Sequence, residues 1–259
     1  MLKYLRVYRE FIKLSFSEAT TYRAHFILLI FMDLSFYAST LLTVDFLFEH
    51  VQTIGVWGEA DFFLFLCFIL AVDHLHMTFV SENFWVLSHQ IRTGELDYVL
   101  LRPVGLLFNV LLKHIRPASM INFLITWPLL FYACIQAQIS WYFYPLLPIL
   151  LLLALSLLVG IEVIIVSFMF YTVESFGINF LRIQLQRVSR WPDFVYHHLF
   201  QKVFTLILPV LLIASAPSHF LISGDWKHFG ILLIANLITW LVAIKVFAYA
   251  LKSYESASS

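Results

Sequence analysis

Long apolar runs dominate the chain, and short charged segments separate them. A helix needs about 20 apolar residues to cross a hydrocarbon core roughly 30 Å thick. Strands of a β-barrel would instead appear as alternating segments of about ten residues. The pattern therefore predicts an all-α integral membrane protein with one transmembrane domain over residues 1–259. Its six spans are predicted at residues 24–48, 62–80, 119–135, 144–171, 203–222 and 229–251.

Composition and charge support this class and add an orientation. Hydrophobic residues make up 61% of the 259 residues and charged residues 12%, against about 45–50% and about 25% in soluble proteins. The net charge is zero, but fifteen of the sixteen Lys and Arg fall on the side of the N-terminus, and only Lys227 falls on the other. Positive loops stay cytoplasmic, so both termini are predicted to be cytoplasmic. Membrane lipids, and no nucleic acid, are the partners expected from this surface.

The fifth span has two interpretations. Residues 172–191 could form a polar crossing helix, with the Pro-containing run 203–222 dipping in and out from the external face. That arrangement would place Lys202, and Arg190 if the boundary falls before it, on the external side. The charge rule therefore favours 203–222 as the span.

The first twenty residues form a separate amphipathic pattern. Apolar residues recur at helical spacing while Lys3, Arg6 and Glu10 occupy the other face, which predicts an elbow helix lying in the cytoplasmic interface over residues 1–20. An ordinary basic anchor beside the membrane would give the same pattern. Because this stretch is charged, no cleavable signal peptide is expected. The residues assigned to the elbow are Tyr4, Leu5, Tyr8, Ile12 and Phe16.

A charged segment at residues 83–116 joins spans two and three, and its core is IRTGELDYVLLRPV. Thr93 is the predicted cap of a short helix over residues 93–101, which Gly94 opens. Glu95 and Asp97 place negative charge in the first turn, and Arg102 places positive charge near the end, as the helix dipole favours.

The same short helix carries an apolar stripe. Leu96, Val99 and Leu100 recur at positions i, i+3 and i+4. Such a stripe either lies on the bilayer and joins the two spans or inserts into a groove of a cytosolic partner.

This segment resembles a motif of permease subunits of type 2 ABC exporters, in which I, G, LD and LxRP follow one another at similar spacing. The sequences SFMFYTVESF after span four, WPDFVY and LILPVLLIASAP occur in the order seen in that family, so the resemblance covers nearly the whole chain. The stretch 179–190 is more polar than the family pattern. The family resemblance implies an elbow helix, six spans and a location in a bacterial-type cytoplasmic (inner) membrane.

The resemblance also implies partners. Residues 93–101 would dock into a cleft on a cytosolic ABC ATPase dimer, and residues 4–16 would supply a second contact. The chain has no GxxxxGK[ST] phosphate loop, so it is not predicted to be an enzyme and needs no cofactor itself; ATP and Mg would bind the partner. A six-span chain is half of such an exporter. A second permease is therefore expected, more readily a sister chain than a copy.

Four acidic residues fall at predicted membrane depth, where a charge costs at least about 2.5 to 3.5 kcal/mol. They are Asp33, Asp45, Asp73 and Glu162. Because no basic residue is comparably deep, the intramembrane charge is predicted to be negative, and the four acids are candidates for a translocation pathway that takes an amphiphilic or aromatic cation, with help from the 27 phenylalanines. The competing interpretation is that they hydrogen-bond between helices or stay protonated.

Other chemistries find less support. Asp73, His74 and His76 are close in sequence, but His74 and His76 point in different directions on a helix, so no metal site is predicted. Cys67 and Cys134 are expected to be small membrane hydrophobes. A membrane-embedded lipid-modifying enzyme would need polar residues converging at one depth, and a non-transporting scaffold would not need the docking helix; both remain alternatives to transport.

Overall fold

A computed structural model describes residues 2–172 and 175–254 of the chain. Within these ranges the structure is helical, apart from loops and one isolated bridge between Ile54 and Trp57. The predicted all-α fold is confirmed. The α-helices are α1 (Leu2–Thr21), α2 (Arg23–Phe48), α3 (Glu59–Phe79), α4 (Ser81–Thr93), α5 (Leu96–Leu100), α6 (Leu106–Leu112), α7 (Pro117–Met120), α8 (Phe123–Gln136), α9 (Leu147–Val166), α10 (Phe176–Val188), α11 (His198–Lys202), α12 (Ser215–Ser223) and α13 (Trp226–Leu251).

Five helical stretches are long and apolar enough to cross a membrane, and they overlap five of the six predicted spans. Two of them join shorter elements: α7 with α8, and α9 with the 3₁₀ turns at its two ends. They are Arg23–Phe48, Glu59–Phe79, Pro117–Gln136, Trp141–Tyr171 and Trp226–Leu251.

The sixth predicted run, 203–222, is not one continuous helix. A helix over His198–Ile207 is followed by a break, and a second helix over Leu211–Ser223 leaves at an angle of 75°. Pro209 explains the break, because proline has no N–H to donate and forces the preceding residue out of the helical region. Leu208 accordingly has φ −120° and ψ 92°. The predicted span over 203–222 is therefore bent, and the described residues contain six spans only if this bent pair crosses the membrane as one; we call residues 198–223 the bent hairpin.

The polar helix α10 and the residues after it run antiparallel to α3, from the first half of α4 to the first turn of α3. At its start the ring of Phe176 lies 6.4 Å from that of Trp85 on α4, and Ser175 hydrogen-bonds to Ser88. Just beyond its end, the ring of Trp191 lies 6.2 Å from that of Phe62 on the first turn of α3. The stretch that includes α10 therefore connects the two ends of the bundle.

The two ends of the bundle differ in what they contain. At one end lie α1, the segment from α4 to α7 and the last turn of α13; we call it the basic end. At the other, the opposite end, Trp57 contacts Phe194 at 4.8 Å and His219 at 4.8 Å. His219 in turn stacks on His228 at the start of α13.

The core is built around α3 and α9. In the most apolar window of α3, 78% of residues are buried, against 17% for α2, so α2 lies at the edge of the bundle. Helices α9 and α13 pack closely, since a Cβ on Gly160 would lie 3.0 Å from the Thr239 Cγ2 atom. A small residue at this crossing lets the two backbones approach, as is common between membrane helices.

Candidate functional site

Helix α10 carries polar side chains into the interior of the bundle. The Arg182 Nη1 atom donates to a Glu162 oxygen on α9 at 2.6 Å, and the His76 Nε2 atom lies 2.6 Å from the other oxygen. All three side chains are 1% exposed. The Arg182 guanidinium also lies over the Phe84 ring, 5.0 Å from its centre. The arrangement ties α3, α9 and α10 together through one carboxylate.

A second buried carboxylate, Asp73 on α3, is held by the same helix and the residues that follow it. The Gln186 Nε2 atom donates to one Asp73 oxygen at 2.9 Å, and the Arg190 Nη2 atom lies 3.0 Å from the other. Arg190 also lies over the Phe36 ring of α2, at 4.8 Å. This pair therefore links α3 and α10 to the peripheral helix α2.

Asp33 on α2 has its own set of partners. It accepts hydrogen bonds from Ser119 Oγ at 2.9 Å and Asn122 Nδ2 at 2.8 Å, and Arg116 lies 3.3 Å away. Asp45 is different, because it is exposed on α2. Asp73 and Glu162 are both held by α10 and the residues that follow it, Asp33 has its partners in and beside α7, and Asp45 has an exposed side chain.

The expectation that no basic residue reaches the depth of these carboxylates is wrong. Arg182 is as buried as Glu162, and Arg190, which is 27% exposed, lies beside Asp73, because α10 and the residues after it pack against α3 and α9. A buried charge is tolerated when it is paired and hydrogen-bonded. The argument for a cationic cargo rested on uncompensated negative charge, and Asp33, Asp73 and Glu162 each have a basic partner. The interpretation as bonds between helices fits these three residues.

The sequence contained a signal that could have identified the two arginines. Asn179, Arg182, Gln186 and Arg190 follow one another at steps of three or four residues, which places them on one face of a helix. The unusually polar stretch 179–190 is this face. His76, considered above only as a metal ligand, instead uses its Nε2 atom on Glu162.

The charged segment at the basic end also differs from its predicted form. Thr93 ends α4, where its hydroxyl donates to the His89 carbonyl at 3.0 Å. Gly94 follows as the C-cap with φ 75°, a left-handed conformation that glycine adopts easily. Thr93 is therefore not an N-cap, and Gly94 closes one helix instead of opening the next. The predicted helix over 93–101 is shortened to α5, Leu96–Leu100.

The apolar stripe of α5 faces the protein itself. Leu96 and Val99 are buried in a cluster with Phe84 and Leu87 of α4 and Val110 of α6, so neither can enter a partner's groove. Leu100 is partly exposed. The most exposed apolar side chains of this segment are instead Tyr98, at 71%, and Leu101, at 83%.

The charged residues of this segment divide in the same way. Glu95 and Arg102 are exposed. Asp97 lies beside Tyr254, near the end of the described chain; burial first, and then the Asp97 charge, raise the pKa of the Tyr254 hydroxyl. Asp97 therefore contributes to contacts within the chain, while Glu95 and Arg102 face outward with Tyr98 and Leu101.

Helix α1 lies against this segment. The Lys3 ammonium donates to the Pro103 carbonyl at 2.9 Å, and the Tyr4 ring meets the Phe108 ring of α6 edge-on at 4.8 Å. Tyr8 and Ile12 are half-buried, whereas Leu5 and Phe16 are exposed. The predicted amphipathic helix is present in the structure, with its inner face on α6 and α7.

Comparison with known protein families shows the family to which the chain belongs. The profile of the ABC-2 family transporter protein matches residues 34–258, which is most of the chain. A search of curated proteins and a search of solved structures find no match. The matched region includes the paired carboxylates Asp73 and Glu162, α5, α10 and the bent hairpin. The chain therefore belongs to the ABC-2 family of transporter membrane proteins.

Proposed function

We propose that the chain is the permease half of an ATP-driven exporter, coupled to its ATPase through the exposed edge of α5. The family gives the coarser part of this statement, a membrane permease associated with an ABC ATPase. The ATPase contact is inferred from the exposure of Tyr98 on α5 and of Leu101 directly after it. Leu96 and Val99, on the other side of α5, are buried. An exposed tyrosine is a typical anchor of a protein interface, and the exposed leucine beside it adds apolar area.

The buried side of α5 connects the exposed Tyr98 and Leu101 to the membrane helices through packed side chains. Leu96 and Val99 pack against α4, and α4 contacts α10 through the Ser88–Ser175 and Trp85–Phe176 pairs. Phe84 of α4 also lies against Arg182. A displacement of α5 by the ATPase would therefore reach the Glu162–Arg182 pair through packed side chains, which is the kind of contiguous connection that coupling requires.

Helix α1 would move with α5. It is joined to the segment after α5 by the Lys3–Pro103 hydrogen bond and to α6 by the Tyr4–Phe108 contact. Its exposed residues Leu5 and Phe16 suit the headgroup boundary of a bilayer. We propose that α1 is the elbow helix in the cytoplasmic interface.

The fifth span in this proposal is the stretch 175–191, and the bent hairpin enters and leaves from the external face. The contacts of residues 175–191 with both ends of the bundle support this topology. So does the 2.9 Å contact between Asp193 and His219 of α12, which joins the end of this stretch to the second helix of the bent hairpin. This arrangement puts Lys202 at the external face, and Arg182 and Arg190 within the span. The orientation drawn from the basic end is unchanged, because the basic residues of α1 and of the α4–α7 segment stay on one side.

A second permease would complete the pathway, and ATP and Mg would bind the ATPase. Most of α2 and α13 is exposed apolar surface, which leaves room for a second permease; the family resemblance favours a sister chain over a copy. Since Asp33, Asp73 and Glu162 have basic partners, none of these carboxylates supports a choice of cationic cargo.

The coupling proposal is tested with the Leu101→Asp and Tyr98→Ser variants, each co-expressed with a cytosolic ABC ATPase that the unchanged permease retains on purification. We expect ATPase retention on the purified permease to fall by at least about tenfold, which corresponds to about 1.4 kcal/mol. Val56→Asp is the matched control, because Val56 is 80% exposed but lies at the opposite end. Full retention and unchanged transport-coupled hydrolysis in Leu101→Asp would place the contact elsewhere.

The topology is tested by labelling single cysteines with a reagent that cannot cross the membrane, in a background with Cys67→Ala and Cys134→Ala. If the stretch 175–191 is the fifth span, His198→Cys labels from the same side as Ser223→Cys, and Gly177→Cys from the same side as Ser253→Cys. A continuous span over 203–222 predicts that cysteines at 198 and 223 label from opposite sides.

A further inference from the structure

A polar pocket and an apolar groove meet where α1, α2 and α7 come together at the basic end. The pocket, about 500 Å³, is lined by Glu18, His25, Glu82, His114 and Arg116. The groove, about 640 Å³, is lined by side chains of α1, α2, α3, α7 and α8. Phe26 and Pro117 line both cavities. Two adjoining cavities, one with a polar lining and one apolar, fit an amphiphile.

The direction of the site matches the direction of a lipid. The pocket lies at the first turns of α2 and α7, where these spans begin, and the groove extends along α8 to Phe123 and Leu124. A headgroup in the pocket would therefore place its acyl chains in the groove, at membrane depth. A small ion or a soluble amine would leave the groove without an occupant.

Arg116 provides the phosphate end of the pocket. One of its nitrogens lies 3.3 Å from Asp33, and its Nε atom is buried with no hydrogen-bond partner among the described residues. A guanidinium has five N–H donors in a planar fork that suits phosphate. Arg116 can therefore hold Asp33 with one edge and still offer donors to a second oxyanion.

The Thr78 hydroxyl, in the wall of the groove next to Arg116, is a second polar group without a hydrogen-bond partner among the described residues. Thr78 is 1% exposed. It lies next to Arg116, because its carbonyl accepts the Arg116 N–H at 2.9 Å, and it lines the groove. A buried hydroxyl without a partner costs free energy. An ester carbonyl of a glycerolipid, which lies between phosphate and acyl chain, would satisfy it.

The charges that face the pocket decide the headgroup. Glu18 and Glu82 are exposed carboxylates on its wall. Burial, and then the Lys113 charge, lower the pKa of His114 to about 4, so His114 is neutral at pH 7. Burial is the main cause that lowers the pKa of Lys113, whose charge interacts with that of Glu18. His25 on α2 is exposed. An anionic headgroup would meet two carboxylates, whereas an ammonium next to the phosphate would pair with them.

We propose that this pocket and groove form a binding site for a phospholipid whose headgroup carries a primary ammonium beside its phosphate. The phosphate binds Arg116, the ammonium binds Glu18 and Glu82, an ester carbonyl accepts from Thr78, and the acyl chains fill the groove. The site depends on membrane placement and is separate from the proposed contact of α5 with the ATPase.

The test uses the purified full-length permease, exchanged into lipid-free detergent and titrated with dioleoyl phosphatidylethanolamine, phosphatidylcholine or phosphatidylglycerol. Native mass spectrometry counts the retained lipids. We expect retention of phosphatidylethanolamine at least about fivefold above the other two, and no retention of glycerophosphoethanolamine, which lacks the chains. Equal retention of all three lipids, or a preference for phosphatidylglycerol, would overturn the proposal.

Two variants locate the binding. Glu18→Gln with Glu82→Gln is expected to abolish the preference for phosphatidylethanolamine over phosphatidylcholine, and Thr78→Val, which keeps the side-chain shape, to weaken retention of every diacyl lipid. Glu10→Gln with Glu49→Gln removes two exposed carboxylates elsewhere and should leave the preference unchanged. If the preference survives the Glu18 and Glu82 changes, or disappears equally in the control, the site is not this pocket.

Discussion

Helix α10 and the bent hairpin offer a direct comparison, because each could have been the fifth span. The α10 stretch has the polar sequence, yet it buries Asn179, Arg182 and Gln186 and reaches from one end of the bundle to the other. The hairpin has the apolar sequence, yet it bends by 75° and leaves Leu206 and Ile207 exposed. Hydropathy reports the cost of exposing a side chain to lipid, and α10 avoids that cost by pairing its charges inside the protein.

The largest effect is expected where that pairing is broken. Arg182→Met leaves Glu162 buried with His76 as its remaining partner, and we expect it to cost about 3–5 kcal/mol in the free energy of unfolding. Adding Glu162→Gln should recover most of the loss, because no unpaired charge remains. The measurement is unfolding in micelles, with Arg187→Met as the control, since Arg187 is exposed on the same helix. Equal losses in the two single variants would show that burial of α10 charge does not set its stability.

In the bent hairpin we expect buried apolar side chains, and not paired charges, to contribute most of the free energy of unfolding. Leu211 is fully buried, whereas Leu206 is 78% exposed. Leu211→Ala removes packed atoms and leaves a cavity, so we expect a loss of about 2–5 kcal/mol. Leu206→Ala should change the free energy of unfolding by less than about 0.5 kcal/mol. Comparable losses for both leucines would mean that Leu206 is covered in the assembled transporter.

The segment that follows α10 is held at the opposite end by a close contact. Gly55 has φ +63°, and a Cβ there would lie 2.5 Å from the Phe194 ring. Gly55→Ala is therefore expected to cost about 1–3 kcal/mol and to loosen the end of the α10 stretch. At Gly58 an added Cβ meets nothing within 4 Å, so Gly58→Ala is the control. Thermal unfolding and protease cleavage after α10 would measure the difference, and identical profiles would contradict it.

The smallest effect is expected at Asp193, which joins the two regions. His219 of α12 lies 2.9 Å from its carboxylate, and Gln201 donates to it at 3.3 Å. Burial raises the pKa of Asp193, but the hydrogen bond and charge of His219 outweigh burial and leave that pKa below its ordinary value of 3.8. A lowered carboxyl pKa stabilises the fold above the ordinary value, and this stabilisation is lost as the pH falls through the lowered pKa.

Asp193→Asn should therefore lower stability at pH 7 by about 1 kcal/mol. The gap to the unchanged protein should close as the pH falls below the ordinary aspartate range. Unfolding followed at pH 7 and in acid checks both statements. A gap that is constant with pH would show that the carboxylate charge has no role in joining α10 to the hairpin.

Much of the fold could be predicted from hydropathy alone. The runs that correspond to α2, α3, α9 and α13 are long and uniformly apolar, so the requirement to satisfy backbone hydrogen bonds in lipid leaves helix as the answer. The amphipathic period of residues 1–20 likewise predicted α1. The motif IRTGELDYVLLRPV was sufficient to suggest the family, which the match over residues 34–258 confirms.

The candidate site was less accessible from sequence. Gly94 follows Thr93, a typical capping residue, and precedes Glu95 and Asp97, so it was interpreted as the start of a helix. In the structure α4 continues to Thr93, and Gly94 is its C-cap. Leu96 and Val99 form an apolar stripe whichever surface they face. Only the position of α4 and α6 shows that the stripe is internal and that Tyr98 and Leu101 are exposed.

By itself, the sequence determined the class of the protein, most of its spans, the location of its basic end and its family, because each depends on composition, period or motif within one segment. The tertiary structure decided which side chains meet. The carboxylates Asp73 and Glu162 were visible as charges in apolar runs, but their partners Arg190 and Arg182 lie in a later segment, 117 and 20 residues further along the chain, respectively. Whether a buried charge is a binding site or a bond between helices depends on what packs against it, and only the packing of α10 supplied that answer.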